Sequence, residues 1–214
     1  MTLFTDRTHA GKELAKALTA YTDHPDSIVL ALPRGGVPIA FEIANVLHAP
    51  LDVFIVRKLG APGQPELAMG AIASGGLRVM NDDILGMLRV SEATIAATIA
   101  EEQQELERRE GLYRGDRPAL KIAGKTVIVV DDGIATGATM RAAVRALKAQ
   151  QPARLIVAIP TAAVDTCHAL RQEVDEVVCL ATPEPYIAVG RWYKDFAQTS
   201  DAEVQALLAQ SSQN

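Results

Sequence analysis

Short unbroken apolar runs alternate along this chain with stretches where apolar side chains recur every third or fourth position. The runs Ser27 to Leu32, Leu51 to Val56, Val127 to Val130, Arg154 to Ile159 and Glu176 to Leu180 read as strands, and runs without polar alternation suit burial on both faces. Between them lie helical patterns. Residues 6–22 place Leu14, Leu18 and Tyr21 on one face, and the segment after Gly36 does the same with Ala40, Ile43, Ala44 and Leu47. The segment after Thr139 opposes Met140, Ala143, Val144 and Leu147 to Arg141, Arg145 and Lys148. A helix is also predicted over 162–171, and Pro160 is expected to stop the strand before it. Strand–helix–strand in this order predicts an α/β protein with a parallel sheet covered by helices on both faces.

Other segments break that rhythm. Residues 59–68 contain two Gly and two Pro and predict an irregular or mobile loop. Gly75-Gly76 between Ala71–Ser74 and Leu77–Met80 signals a hairpin. Ser91 can cap a long helix reaching about residue 113, with a narrow stripe of Ile95, Ile99, Leu106 and Tyr113. Its stretch Glu101 to Glu110, nearly all charged or amide, reads as a solvated face. A short helix over Asp201 to Ala209 closes the pattern, and Gln210 to Asn214 reads as a frayed tail.

The candidate chemistry gathers at strand ends. After Val127-Ile128-Val129-Val130 come Asp131-Asp132-Gly133-Ile134-Ala135-Thr136-Gly137-Ala138-Thr139 and then a helix. Loop amides, the Thr136 and Thr139 hydroxyls and a helix N-terminus make a cradle for a phosphate monoester. Asp131 and Asp132 just before it can accept hydrogen bonds from a vicinal diol. Phosphate at one end and diol at the other describe a ribose 5-phosphate. The plainer alternatives are a strand–turn–helix whose Asp pair caps the helix, or an acidic pocket that binds Mg²⁺ alone. No GxxxxGK[ST] motif occurs, and no GxGxxG follows a strand.

The thirteen residues 127–139 resemble the motif by which type I phosphoribosyltransferases bind 5-phosphoribosyl diphosphate (PRPP). The resemblance covers essentially the whole chain and implies a single domain: a core over about 25–180, with a hood from about 181 to 214 joined by the N-terminal helix 6–22. It implies Mg²⁺-dependent transfer of the 5-phosphoribosyl group from PRPP to a nitrogenous base, with release of pyrophosphate. Asp131 and Asp132 would hold the ribose hydroxyls directly or through Mg²⁺, and Ala135, Thr136, Gly137, Ala138 and Thr139 would bind the 5′-phosphate. Leu32-Pro33-Arg34-Gly35-Gly36 resembles the pyrophosphate loop, and Arg57-Lys58 the basic pair of adenine- and orotate-type members. Loop 59–68 matches the catalytic lid in position, but its one ionisable residue is Glu66, a candidate acid or base toward the nucleophile. A lid without basic residues departs from the orotate type. Ala135, where 6-oxopurine members carry an Asp, departs from that type too.

Tyr186, Trp192, Tyr193 and Phe196 fall in the hood region, where Trp192 or Tyr193 would either stack on a planar base or pack the hood onto the core. The acceptor base itself is not legible. A net charge of −5 argues against general nucleic-acid or membrane-surface binding. No apolar run is long enough to span a bilayer and no signal-peptide pattern opens the chain, so cytoplasm is expected. Cys167 and Cys179 form no CxxC and are expected as neutral thiols. The expected partners are the small-molecule substrates, and the family implies a homodimer. An alternative within the same fold is a non-catalytic regulator that senses PRPP or a nucleotide. A phosphohydrolase using the acidic pair for Mg²⁺ would leave Arg34, Arg57 and the lid without a task.

Overall fold

The computed structural model describes residues 2–88, 90–115 and 117–211, the side chains of Pro65, Glu66 and Asp82 excepted. Helix α1 (Arg7–Ala17) starts on Asp6, whose carboxylate accepts the His9 amide at 2.7 Å. A separate 3-10 turn at Thr19–Tyr21 replaces the last turn of the single helix expected over 6–22. Then follow β1 (Ser27–Ala31), α2 (Gly36–Leu47), β2 (Leu51–Val53), β3 (Val56–Ala61), β4 (Gln64–Ala73), β5 (Leu77–Met80), α3 (Asp82–Leu88) and α4 (Glu92–Arg114). The chain continues through β6 (Thr126–Val130), α5 (Ala138–Ala149), β7 (Arg154–Thr161), α6 (Val164–Arg171), β8 (Glu176–Ala181), a 3-10 turn at Val189–Trp192 and α7 (Asp201–Ser211).

Five strands pair in parallel in the order β2-β1-β6-β7-β8. Both faces are covered. Val29, Ala31, Ile128, Val130, Ile156 and Ala158 pack with apolar residues of α1, α2 and α7. Their neighbours Ile28, Leu30, Val127, Val129, Leu155 and Val157 pack with α5 and α6. From β1 the chain crosses through α2 to one edge of the sheet, and from β6 through α5 toward the other. The crevice beyond the carboxyl ends of β1 and β6 is therefore the switch point where such sheets bind ligands. Those two ends are level, with Ala31 opposite Val130.

Three expectations are corrected. The apolar run from Leu51 to Val56 is not one strand. It leaves the main sheet after Phe54, whose amide still bonds the Ala31 carbonyl at 2.9 Å, while Ile55 turns to Ser74 of the small sheet. An unbroken apolar run does not reveal which sheet it serves. Residues 59–68 are not an irregular loop either. They form most of an antiparallel hairpin in the three-stranded sheet β3-β4-β5, with Pro62 and Gly63 (φ +73°) as its turn. Pro followed by a residue at positive φ is the chemistry of a tight turn, so the Pro and Gly count marked two turn residues rather than ten loop residues. Pro160 does not stop β7, which runs on to Thr161 after its last pairing to β6 at Ala158. There the proline removes no ladder bond to β6.

The hairpin around Gly75-Gly76 is present, with Ala73 opposite Leu77. Helix α7 reaches Ser211, and the expected fraying over 212–214 lies outside the described residues. Both cysteines are free, and burial pushes the Cys179 thiol up to about 12. Among the described residues no helix is long and apolar enough to cross a membrane.

Candidate functional site

Strand β6 delivers Asp131 and Asp132 to the switch point, and β1 delivers the loop 32–36 beside them. The two loops touch so closely that a Cβ on Gly35 would lie 2.0 Å from Asp132 Oδ2. One on Gly36 would lie 2.6 Å from the Val130 carbonyl oxygen. Only glycine permits this approach. The backbone amide of Asp132 donates to Asp131 Oδ1 at 2.8 Å. Burial raises the Asp131 pKa well above the ordinary carboxylate value, and the neighbouring Asp132 charge adds to the effect. Asp132 is raised mainly by burial and lowered by Arg7.

Arg7 was not singled out in the sequence. Its Nε and Nη2 both reach Asp132 Oδ2, at 2.9 and 2.8 Å. Nothing in the helical pattern of residues 6–22 marks this role, because the partner lies 125 positions away. Tyr193 enters from the opposite end of the chain, its hydroxyl donating to the Asp132 carbonyl at 2.6 Å. Among the described residues Asp131 Oδ2 and Asp132 Oδ1 carry no protein hydrogen bond. One carboxylate oxygen from each residue is thus without a protein donor among the described residues.

The loop expected to cradle an anion follows directly. Gly137 caps α5 in a left-handed conformation (φ +76°), with no side-chain cap bond and no acidic residue in the first turn. The first intrahelical bond of α5 joins the Arg141 amide to the Gly137 carbonyl at 2.8 Å, which leaves the preceding turn of amides open to an anion. Ala135, Thr136, Ala138 and Thr139 are exposed around it, and the Ala135 carbonyl is anchored by the Thr166 hydroxyl at 2.6 Å.

The remaining candidates are dispersed. Arg34 lies on the loop after β1, with Nη1 3.7 Å from Asp201 Oδ1 of α7. Arg57 and Lys58 are not at the end of a main-sheet strand but side by side in β3, where successive residues point to opposite faces. Arg57 pairs with Glu102 of α4 at 2.6 Å. Lys58 lines a cavity of about 170 Å³ with Ala138, Arg141 and Arg145 of α5. The Glu66 backbone belongs to β4, and its side chain lies outside the described residues. Trp192 is half-buried with its ring 6.0 Å from Tyr186. Tyr193 is only 4% exposed and takes the packing role, its ring centroid 5.4 Å from Phe4 and 4.9 Å from Phe196. A larger cavity of about 660 Å³, between the ends of α2 and α4, includes none of these residues.

Residues 6–183 match the family model described as Phosphoribosyl transferase domain. Two curated Mycobacterium tuberculosis proteins, "Putative phosphoribosyl transferase MT0597" of strain CDC 1551 and "Putative phosphoribosyl transferase Rv0571c" of strain H37Rv, are each 47% identical over 208 residues, 97% of this chain. The chain spans 47% of each, about half the length of the curated relatives it matches. The crystal structure of TT1426 from Thermus thermophilus is similar at 40% identity with a TM-score of 0.86, over 98% of this chain and 99% of that one.

Proposed function

The chain belongs to the phosphoribosyl transferase domain family, and on that premise we propose that it transfers the 5-phosphoribosyl group of PRPP to a nitrogenous base, releasing pyrophosphate. The observation that carries the proposal is the pair of unengaged carboxylate oxygens, Asp131 Oδ2 and Asp132 Oδ1, next to the open N-terminus of α5. Their spacing along one loop suits the 2- and 3-hydroxyls and the 5-phosphate of a single ribose.

Asp131 and Asp132 would accept the ribose hydroxyls, and Ala135 to Thr139 would hold the 5-phosphate by backbone amides and hydroxyls. Arg34, with the backbone of Gly35 and Gly36, would bind the departing pyrophosphate, and Lys58, which lines a cavity with Ala138 and Arg141 of α5, would add positive charge. Arg57 would join only by exchanging Glu102 for substrate. Trp192 remains the candidate contact for the base, with Tyr193 acting through its bond to Asp132. Glu66 keeps its proposed role toward the nucleophile.

Among the described residues no group of three or more His, Cys, Asp or Glu is placed to hold a metal ion by itself. Two carboxylates beside a phosphate cradle fit a Mg²⁺ held largely by substrate oxygens and water, which is how that ion usually binds. Bound there, Mg²⁺ would neutralise charge on the leaving pyrophosphate. Displacement at C1 develops positive charge on the ribose ring, which a carboxylate ionised in the bound complex would favour. Ala135 and the absence of basic residues from 59–68 speak against a 6-oxopurine or orotate acceptor.

Pyrophosphate release from PRPP and Mg²⁺ across purine, pyrimidine and pyridine bases tests the proposal. Release with one base, lost in Asp131→Asn/Asp132→Asn, is expected and names the acceptor. Silence with every base, while PRPP still raises the melting temperature, would replace the transferase by a PRPP sensor.

A further inference from the structure

Arg7 is gripped from three directions. Two of its nitrogens meet Asp132 Oδ2, and Nη1 donates to the Ala197 carbonyl at 2.6 Å. Its guanidinium carbon lies 3.9 Å from the centre of the Phe196 ring. The side chain is only 12% exposed. Phe196 packs on Tyr193, whose hydroxyl bonds the Asp132 carbonyl, so the same C-terminal segment holds Asp132 at its side chain and its backbone. The segment is itself tied to the N-terminus, where the Lys194 and Asp195 amides bond the Phe4 and Thr5 carbonyls at 2.8 Å. Gly35 closes the other side of the carboxylate.

We propose that Arg7 is the positioning residue of the ribose-diol site: it pins Asp132 through Oδ2 alone, leaves Oδ1 to the ligand, and couples residues 193–197 to occupancy of the site. The role presupposes that PRPP binds at Asp131 and Asp132. A carboxylate with one oxygen saturated by two donors cannot rotate freely, so it meets a hydroxyl already oriented. Lysine would supply the charge but neither the two-nitrogen grip nor the flat face that lies on Phe196. A hydroxyl on Oδ1 would in turn draw Asp132 and Arg7 together with the ring and carbonyl that hold Arg7.

The test uses Arg7→Lys and Phe196→Leu, which keep charge and apolar bulk and so favour retention of the fold. Mg²⁺-PRPP binding is measured by calorimetry, and amide hydrogen exchange over 193–197 with and without PRPP. Arg7→Lys is expected to bind about ten- to a hundredfold more weakly, the scale of one charge-assisted hydrogen bond. Phe196→Leu is expected to bind several-fold more weakly. PRPP should slow exchange over 193–197 in the unmodified protein and fail to do so in Arg7→Lys. In an Asp132→Asn background Arg7→Lys should add little, since its effect runs through that carboxylate. Unchanged affinity in both single variants, or full additivity with Asp132→Asn, would overturn the positioning role while leaving PRPP binding intact. Weakened binding with the same exchange protection would overturn the coupling. Absence of PRPP binding by the unmodified protein would remove the ribose site itself.

Discussion

Gly35 and Asp132 show how little slack the site has. A methyl at position 35 would occupy the space of the Asp132 carboxylate, 2.0 Å from Oδ2. Gly35→Ala is therefore expected to displace Asp132 at a cost of about 1–3 kcal/mol, the range for overpacking, and to weaken PRPP binding at least tenfold. A denaturant melt and a PRPP titration check the two halves, and an unchanged affinity would mean Asp132 is not a ligand. Tyr193 separates packing from hydrogen bonding. Tyr193→Phe removes only the bond to the Asp132 carbonyl and should cost about 1 kcal/mol in chemical denaturation. Tyr193→Ala also empties a site between Phe4 and Phe196 and should cost about 3–5 kcal/mol. At this scale the sequence is uneven. The acidic pair, the glycines and the threonines declare themselves because their types and spacing have few other uses. Arg7 does not, since an Arg opening a helix has many, and Tyr193 is singled out only with stacking and packing both open, because an aromatic cluster serves either.

Elements follow the same physics with different legibility. β1, β6, β7, α2 and α5 are visible in the chain because burial on both faces or on one stripe leaves a strong apolar period. The division of Leu51–Val56 between two sheets is not visible, because apolar character does not say which neighbour a strand pairs with. The β3–β4 hairpin is hidden by the two Gly and two Pro, although Leu59, Met69 and Ile72 are wholly buried within it. The loop from β6 to α5 depends on one conformation. Gly137 sits at φ +76°, and a Cβ there would lie 2.7 Å from Thr166 Cγ2. Gly137→Ala combines left-handed strain with a clash and is expected to destabilise by about 1–3 kcal/mol. Because the strain falls on the proposed phosphate cradle, its loss of PRPP affinity should exceed that of an alanine placed on the exposed face of α5. Equal losses would detach the cradle from the ligand.

The whole molecule adds what no local pattern contains: the order of the strands. β1 and β6 are far apart in sequence, yet their pairing sets the switch point and brings Gly35 against Asp132 and Gly36 against Val130. Periodicity predicts a parallel sheet but not that order. The four tyrosines report on the assembled molecule as a set. Burial first pushes Tyr21, Tyr113 and Tyr186 up to about 12, aided by Glu176 at Tyr21, by Asp201 at Tyr113 and by Cys179 and the Asp pair at Tyr186. Tyr193 is raised further, by burial and then by the Asp132 charge. A phenol whose pKa is higher in the folded chain stays protonated there while the unfolded chain ionises at about 10. Stability is therefore unaffected by these groups below about pH 10 and falls as pH rises from there toward 12. Ultraviolet titration should show little phenolate until the fold is lost, and a tyrosine titrating normally in the folded protein would contradict this packing.

The most direct test of the central claim is calorimetric titration with Mg²⁺-PRPP of the unmodified protein and of Asp131→Asn/Asp132→Asn. Binding at one site by the first, lost or weakened at least a hundredfold in a second that melts cooperatively, is the predicted result. Equal binding by both proteins, or none by either, would contradict a ribose site at the end of β6.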